Sequence, residues 1–401
     1  MLNDRSSYLK GIFLLTYLSS GIFASAMVTP AVLYMESFYV VGVNKINLVI
    51  TIYLAGYLLG QIISATLGKI FRAIQIFRLG ILVFIMGNLI CIYSIQTTEF
   101  YYILLGRFVS AIGLSSGLVC SIYLINSSFK REHSIIWLSL GVSSYAIAII
   151  VSVAIGGYIS EVFSWKNIFH ILLLYGIVLF VSSLYVHFPN TNPENTPPQN
   201  LAKYENRTKN LNLLAYSLSM GFFTAIGYCY FEVGPNYSIN HLGLSPISYS
   251  YWNLFGVSGI LASSLIGKIF FKGKKNNTLF VCCLIAIIAV ICFNITKLYY
   301  GEYPIIFFSL IFLLFLLGGV MYAIAASEIG SFGNCNLYRT GIATFINLGS
   351  ALLCLNILNT VNILLIELFS IIIILFSATC ASFIFYINKK TQDPMIKVTR
   401  H

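Results

Sequence analysis

The chain has 401 residues, of which 58% are hydrophobic and only 9% charged, and its formal net charge is +11. A soluble globular domain carries about 25% charged residues, so this chain lacks the polar side chains needed to cover a water-facing surface. The composition therefore excludes a soluble protein and indicates an integral membrane protein. In such a protein the positive charge marks cytosolic loops, and we expect no nucleic-acid partner.

Apolar segments long enough to cross a bilayer as helices follow one another along the chain. A hydrocarbon core of about 30 Å requires roughly 20 residues per helix. The segments are continuously apolar, which argues against β-spans, whose residues alternate between apolar and polar. Twelve such segments lie at about residues 10–33, 47–68, 76–96, 100–125, 135–158, 167–187, 211–236, 246–270, 278–296, 304–328, 341–360 and 363–388.

The loops support this count through their lysine and arginine residues. Cytosolic loops of membrane proteins carry an excess of these residues. If the N-terminus is cytosolic, the outer loops hold only Lys45, Lys166 and Lys297. The cytosolic segments then hold Arg5, Lys10, Lys69, Arg72, Arg78, Lys130, Arg131, Lys203, Arg207, Lys209, Lys268, Lys272, Lys274, Lys275, Arg339, Lys389, Lys390, Lys397 and Arg400. One misplaced span would reverse every later loop, so we expect both termini in the cytosol.

One polar stretch, His187–Asn210, interrupts the apolar pattern. It contains four prolines and many asparagines, and it cannot bury a core. The sequence therefore predicts an N-terminal six-helix bundle at residues 1–187 and a cytosolic linker at 188–210. A C-terminal six-helix bundle with a short cytosolic tail is predicted at 211–401.

Charged side chains within the apolar segments are the first functional candidates, because a charge in hydrocarbon costs several kcal/mol. Arg107 in the fourth segment is expected to handle a proton or a substrate charge; the alternative is that it only joins helices through backbone carbonyls. Glu232, near the outer end of the seventh segment, is expected to carry a proton if desolvated, or else to lie solvated at a helix mouth. Glu328 is expected to pair with a cytosolic base such as Arg339.

Polar and aromatic residues elsewhere in the segments are candidates for lining a substrate cavity, although Tyr and Trp near helix ends more often form interfacial belts. These candidates are Tyr123, Tyr145, Tyr228, Tyr230, Asn236, Trp252 and Asn253. We find no phosphate loop, HExxH motif or catalytic triad, and therefore expect no catalytic residues, enzyme activity or cofactor. The nine cysteines form no CxxC pair, and we interpret them as packing residues rather than as a metal site.

Two six-span halves around a polar loop resemble the major facilitator superfamily over nearly the whole chain. Finer matches resemble its twelve-span drug:proton antiporters, especially the bicyclomycin/chloramphenicol-resistance (Bcr/CflA) branch. The matching stretches are RFVSAIGLSSG (Arg107–Gly117), IGGYISEVFSWKNIF (Ile155–Phe169), HLGLSPISYSYWNLFG (His241–Gly256) and YRTGIATFIN (Tyr338–Asn347). In the first of these, the family's Arg is implicated in proton transfer. Their small residues Gly113, Gly117, Gly156 and Gly157 would let helices approach closely.

The loop between the second and third spans departs from the pattern of that family. The family reads Gly-x-Leu-x-Asp-Arg-x-Gly-Arg-basic, and the matching stretch here is ATLGKIFRAI, which contains Gly68 and Arg72. Ala65 replaces the leading Gly, and Lys69 replaces the Asp that is thought to join the two halves on the cytosolic side. A lysine cannot accept the hydrogen bonds of that Asp. We expect Lys69 instead to cap the C-terminus of its own helix, where a cation is favourable by about 0.3–1 kcal/mol.

Two further positions depart from the antiporter pattern. Ala26 replaces the first-span acid expected four residues before Pro30, and Val153 replaces the proline of the fifth-span Gly-Pro motif. The usual proton site of the family is therefore absent from this chain.

The resemblance implies an all-helical fold of two pseudo-symmetric six-helix bundles with substrate bound near the midplane of the bilayer. It also implies proton-coupled export of small organic compounds by alternating access. We expect a monomer in a bacterial cytoplasmic membrane, whose partners are its small-molecule substrate, protons and lipid. The departures leave open a dedicated transporter of one metabolite, such as a siderophore or nutrient, and a non-transporting membrane receptor. An intramembrane enzyme is the least expected, since buried polar clusters are scarce.

Overall fold

The computed structural model describes residues 5–186, 188, 202–270, 275–331, 336–360 and 365–392. Throughout these ranges the regular secondary structure is helical. The prediction of an all-helical chain is therefore confirmed. Its physical cause is the length of the apolar runs, because a segment surrounded by lipid must satisfy its backbone hydrogen bonds internally.

The first six predicted spans correspond to long helices. Pro30 interrupts the first of them, because a ring nitrogen cannot donate the helical hydrogen bond, and the turn Thr29–Ala31 is of the 3₁₀ type. The helices are α1 (Arg5–Val28), α2 (Val32–Tyr39), α3 (Val43–Ile46), α4 (Leu48–Leu67), α5 (Ala73–Thr97), α6 (Phe100–Ser128), α7 (Arg131–Ile159) and α8 (Asn167–Tyr185). The π-helical turn Ser160–Ser164 follows α7.

The other six predicted spans are also helical. They are α9 (Ala202–Asn236), α10 (Pro246–Phe270), α11 (Lys275–Tyr300), α12 (Pro304–Ser331), α13 (Leu337–Thr360) and α14 (Leu365–Gln392). Helix α9 begins within the stretch predicted as a linker and ends at a π-helical turn, Tyr237–His241. Residues 189–201 of the predicted linker and the tail after 392 lie outside the described residues.

Eleven helices among the described residues are long and apolar enough to cross a membrane. They match the predicted spans except for the eighth, 246–270. That segment does form a helix, α10, but several side chains at its two ends lie outside the described part of the chain. The twelve predicted spans therefore all appear as helices.

The chain divides into two compact units, each made of two separate segments of the sequence. The first unit is Met1–Thr196 with Gly333–Phe345, and the second is Pro197–Phe332 with Ile346–His401. The first turns of α13 thus belong to the first unit, and the rest of that helix belongs to the second. The domain boundaries drawn from the sequence stay a prediction.

Helix α6 is the centre of the first unit. It packs against α5, α4 and α1, and most of its membrane-length window is buried. Close approach is possible because glycines face backbone at the crossings: a Cβ at Gly113 would collide with the carbonyl oxygen of Gly80, and one at Gly56 would lie 2.5 Å from that of Phe108. In the second unit, α12 occupies a similar place and packs against α9, α10 and α11.

Candidate functional site

Arg107 is the largest fully buried side chain of the described residues, with 1% of its surface exposed. It lies in the first half of α6, and it is the sole charged residue of that helix. Helix α4, which packs on α6, contains no charged residue. The sequence prediction that this guanidinium lies inside the protein is thus matched by its position.

Two neighbouring helices contact the guanidinium. Its Nη1 donates a 3.3 Å hydrogen bond to the carbonyl oxygen of Ala24 in α1. Its central carbon lies 4.1 Å from the centroid of the Tyr53 ring in α4. The Tyr53 hydroxyl in turn donates a 2.8 Å hydrogen bond to the carbonyl oxygen of Gly21, which orients the ring. A ring beneath a desolvated cation stabilises it by about 2 kcal/mol.

The rest of the guanidinium is unpaired. Its Nε and Nη2 have no hydrogen-bond partner among the described residues. The ion pairs found within those residues join other side chains, Lys275 to Glu328 and Lys297 to Glu302. A buried charge without a counter-ion is costly, so this position is not explained by helix cross-linking alone.

The small residues predicted to let helices approach do so at three of four positions. A Cβ at Gly113 would meet α5, and one at Gly117 would lie 2.7 Å from the carbonyl oxygen of Tyr17 in α1. A Cβ at Gly156 would meet the carbonyl oxygen of Met27. Gly157 has open space at the same place, with nothing within 4 Å. The glycines of α6 therefore bring α1 and α5 close to the helix that carries Arg107.

The loop after α4 contacts the start of α13, and both belong to the first unit. The ammonium of Lys69 lies 4.2 Å from the centroid of the Tyr338 ring. Gly68 ends α4, and a Cβ there would lie 2.8 Å from the side chain of Leu337. A Cβ at Gly341 would overlap that of the fully buried Ala65.

These contacts give a structural role to the loop after α4, in which the sequence differs from the family pattern. The small residues of the loop and of α13 allow the two helices to touch, and the lysine covers an aromatic ring. The ammonium of Lys69 contacts the Tyr338 ring, and capping of its own helix by Lys69 stays a prediction. Arg72 is exposed, and its backbone N–H donates 3.1 Å to Gln75 Oε1. Arg339 lies half-buried in the first turn of α13.

Two of the predicted cavity residues bind each other in the second unit. The Tyr230 hydroxyl donates a 2.6 Å hydrogen bond to Asn253 Oδ1, which joins α9 to α10. The Tyr230 ring is fully buried and packs edge-on against Phe315 of α12. This polar cluster is therefore a satisfied contact between helices.

The other predicted cavity residues are spread over both units. Tyr123 is buried, whereas Tyr145 and Tyr228 are partly exposed. Trp252 is partly exposed and stacks on Phe308, with ring centroids 5.8 Å apart. The side chain of Asn236 lies outside the described residues.

The acidic candidates lie in the second unit. Glu232 is exposed, near the end of α9 and three residues before Pro235, so the side chain is not buried by the protein itself. Glu328 is buried and forms a 2.8 Å ion pair with Lys275 at the start of α11. The expectation that Glu328 pairs with a base is confirmed for Lys275, and pairing with Arg339 stays a prediction.

Sequence reasoning missed the partners that define these sites, notably Tyr53, Tyr338 and Lys275. A tyrosine in the middle of an apolar helix is a weak signal for a cation partner. Tyr53 and Tyr57 are four residues apart and so share a helix face. The sequence alone does not show which of the two rings contacts Arg107.

Comparison with known proteins supports the fold and the class. A family model described as Major Facilitator Superfamily matches residues 12–353. Two solved structures of FucP, a fucose:proton symporter of E. coli, are similar at TM-scores of 0.67 and 0.71 with 13% sequence identity. They cover 94% and 95% of this chain and 99% and 98% of their own. The first was solved in an outward conformation. At this identity the likeness shows the fold alone.

Curated relatives are more similar in sequence but match a shorter region. An uncharacterized transporter of Rickettsia felis is 28% identical over 236 residues, 56% of each chain. One of Buchnera aphidicola is 30% identical over 217 residues, 53% of this chain and 52% of its own. The multidrug efflux pump SdrM of Staphylococcus aureus is 25% identical over 186 residues, 46% of this chain and 39% of its own.

This chain thus spans about half the length, or less, of the curated relatives it matches. The family model, by contrast, covers most of it. With its membrane-length helices, this match shows a multi-pass membrane protein: the chain belongs to the Major Facilitator Superfamily.

Proposed function

We propose that this transporter exports small organic compounds from the bacterial cytosol in exchange for protons, by alternating access. The support is the resemblance of its fourth and fifth spans to drug:proton antiporters of the Bcr/CflA branch. The relative named as a multidrug efflux pump points the same way. The loops rich in lysine and arginine favour an orientation with both termini in the cytosol, in the cytoplasmic membrane, and the proposal takes the monomer as the working unit.

The observation that carries this proposal is the burial of Arg107. Arg107 is a buried charged side chain in α6, and no carboxylate of the described residues lies within 4.0 Å of it. This position therefore holds a fixed positive charge. A guanidinium does not release its proton in a protein. Arg107 therefore serves by attracting a mobile negative group, and the proton itself must be carried elsewhere.

Glu232 is the proposed proton carrier. The first-span acid of the family is absent, with Ala26 in its place, and α9 offers a carboxyl near its end. Its side chain is exposed rather than enclosed by the protein. Protonation would remove its charge and shift the balance between the two transport states, since a ligand shifts an equilibrium by its unequal affinity for them.

A second candidate function is dedicated transport of one metabolite. It is favoured by the departures from the drug-antiporter pattern at Ala26, Lys69 and Val153. The two candidates differ in breadth, because a drug exporter protects cells against several unrelated compounds. A deletion strain grown on a panel of toxins and under iron or nutrient limitation distinguishes them.

Proton coupling is tested in proteoliposomes that hold a pH-sensitive dye. Neutral, cationic and anionic organic compounds are added in turn, and proton movement is compared with that in protein-free liposomes. We expect at least one compound to drive proton flux through the wild type. Glu232→Gln, which cannot ionise, should abolish the dependence of transport on the pH gradient.

The matched control is Glu367→Gln, which changes an exposed carboxyl at the start of α14. It should leave the gradient dependence intact. If Glu232→Gln keeps that dependence, Glu232 is not the proton site. If no compound moves protons through the wild type, proton-coupled export itself is wrong.

A further inference from the structure

Two parts of the Arg107 guanidinium, one face and the Nη1 group, contact other residues. The Tyr53 ring lies over its face at 4.1 Å, and the Nη1 side donates to the carbonyl oxygen of Ala24. The remaining edge carries Nε and Nη2, and these are the two nitrogens without a partner among the described residues.

That edge has a defined chemical preference. The N–H groups of Nε and Nη2 point in parallel, and such a fork matches the two oxygens of a carboxylate in a bidentate pair. A carboxylate accepts each N–H group with a separate oxygen and adds an opposite charge, whereas a single neutral oxygen would have to accept both N–H groups and brings no charge. This buried, unpartnered edge therefore favours a planar group with two acceptor oxygens.

The charge of the surroundings limits the ligand further. Arg107 is the only charged residue of α6, α4 has none, and the half of α1 near Ala24 has none. One bound monoanion would neutralise the site. A dianion, such as a phosphate monoester at neutral pH, would leave a net negative charge in a buried place, which is unfavourable.

Further rings lie near the ring that Arg107 contacts and beside Ala24 in the chain. Besides Tyr53, Tyr57 lies in the same helix with its ring 6.3 Å away and nearly parallel. The rings of Phe23 and Tyr175 are 4.9 Å apart, and Phe23 precedes Ala24. An aromatic neighbourhood of this kind suits a ligand with an apolar body and a small number of polar groups.

We propose that Arg107 is the carboxylate-binding residue for the transported compound, which is an organic monocarboxylate with an apolar body. This inference rests on the proposed function for access to the site, because Arg107 is buried here and alternating access must expose it. It narrows the substrate of that proposal to one chemical class.

Binding is tested on the purified transporter without any gradient, by the shift that a ligand causes in the unfolding temperature. The probes are two acids and their amides: benzoate with benzamide, and hexanoate with hexanamide. Each amide keeps the shape of its acid but lacks the second acceptor oxygen and the charge. We expect stabilisation by at least one acid and not by its amide.

Variants of Arg107 assign the effect to this residue. Arg107→Gln should weaken acid binding by about 10–100-fold, the loss expected for a charge-assisted hydrogen-bonded pair. Arg107→Lys keeps the charge but not the fork, so it should weaken binding less, by about 10-fold. The unfolding temperature of each unliganded variant shows whether that variant is folded. If Arg107→Gln does not fold, Arg107→Lys still tests whether the residue binds the acid.

Several outcomes overturn the inference. They are equal stabilisation by an acid and its amide, no stabilisation by either acid, and unchanged acid binding in both variants. Chloride or inorganic phosphate alone reproducing the effect would show an inorganic anion site instead. Because this assay needs no pH gradient, acid binding that persists while the Glu232 test fails would reject proton coupling and leave the carboxylate site standing.

Discussion

Two cations of the first unit lie over tyrosine rings at almost the same distance, Arg107 over Tyr53 at 4.1 Å and Lys69 over Tyr338 at 4.2 Å. Their surroundings differ completely, since Arg107 is 1% exposed and Lys69 is exposed to the surface. A cation–ring contact stabilises by about 2 kcal/mol when desolvated and by about 0.5–1 kcal/mol when exposed. The same geometry therefore has different consequences at the two places.

The comparison shows that the ring contact leaves hydrogen-bond donors of the buried Arg107 without partners, whereas the donors of the exposed Lys69 need no further partner from the protein. Lys69 is exposed, so its remaining donors are open to solvent. At Arg107 the ring covers one face, and two nitrogens stay without a partner among the described residues. The lysine contact is hence a surface contribution to helix packing, whereas the arginine contact leaves an unpartnered edge, which we propose as a binding site.

The largest effect is expected from Arg107→Met. Replacing a buried unpaired charge by an apolar side chain of similar length should raise the free energy of unfolding of the unliganded protein by about 1–4 kcal/mol. Transport should be lost at the same time. Thermal unfolding of the purified protein measures the first effect, and proteoliposome flux measures the second.

Lys69→Met is the matched control, because it removes a cation over a ring at an exposed position. Its unfolding free energy should change by less than about 1 kcal/mol. If Arg107→Met instead destabilises the protein more than Lys69→Met does, the buried charge is already balanced and the distinction between the two sites fails.

An intermediate effect is expected from Gly341→Ala, which tests what holds the loop of Lys69 against α13. The new Cβ would overlap that of Ala65 and lie 2.9 Å from its Cα. Overpacking of this kind costs about 1–3 kcal/mol. Gly349→Ala, in the same helix with nothing within 4 Å of the new Cβ, should instead stabilise by about 0.5–1 kcal/mol. Equal unfolding temperatures for the two variants would contradict close packing at Gly341.

The smallest effect is the direct coupling of Lys69 to Tyr338. A double-mutant cycle with Lys69→Met and Tyr338→Leu isolates the pairwise term. We expect about 0.5–1 kcal/mol from unfolding measurements on the four proteins. A coupling above about 2 kcal/mol would mean that the pair is shielded from water, and a coupling of zero would mean that small-residue packing alone makes the contact.

The span positions and the candidate arginine were predictable from the sequence. All twelve apolar runs are helical, and their ends differ from the predicted ends by a few residues at most places. The exception is α9, which begins at Ala202 within the predicted linker. Polar residues can continue a helix beyond its apolar run, so hydropathy does not mark the start of that helix. Arg107 was identified because a charge within an apolar run is rare and costly.

The partners of these side chains were not predictable. Arg107 meets Ala24, 83 residues away, and Lys69 meets Tyr338. Glu328 forms an ion pair with Lys275, a base that the sequence did not single out.

Hydropathy alone determined that this chain crosses a membrane many times as helices, because a lipid environment allows few other structures for long apolar segments. Only the tertiary structure decided which ring covers Arg107 and which of its nitrogens stay open. That choice depends on how each helix is rotated about its axis and how closely glycines let it approach its neighbours. The order of apolar residues along the chain does not specify either quantity.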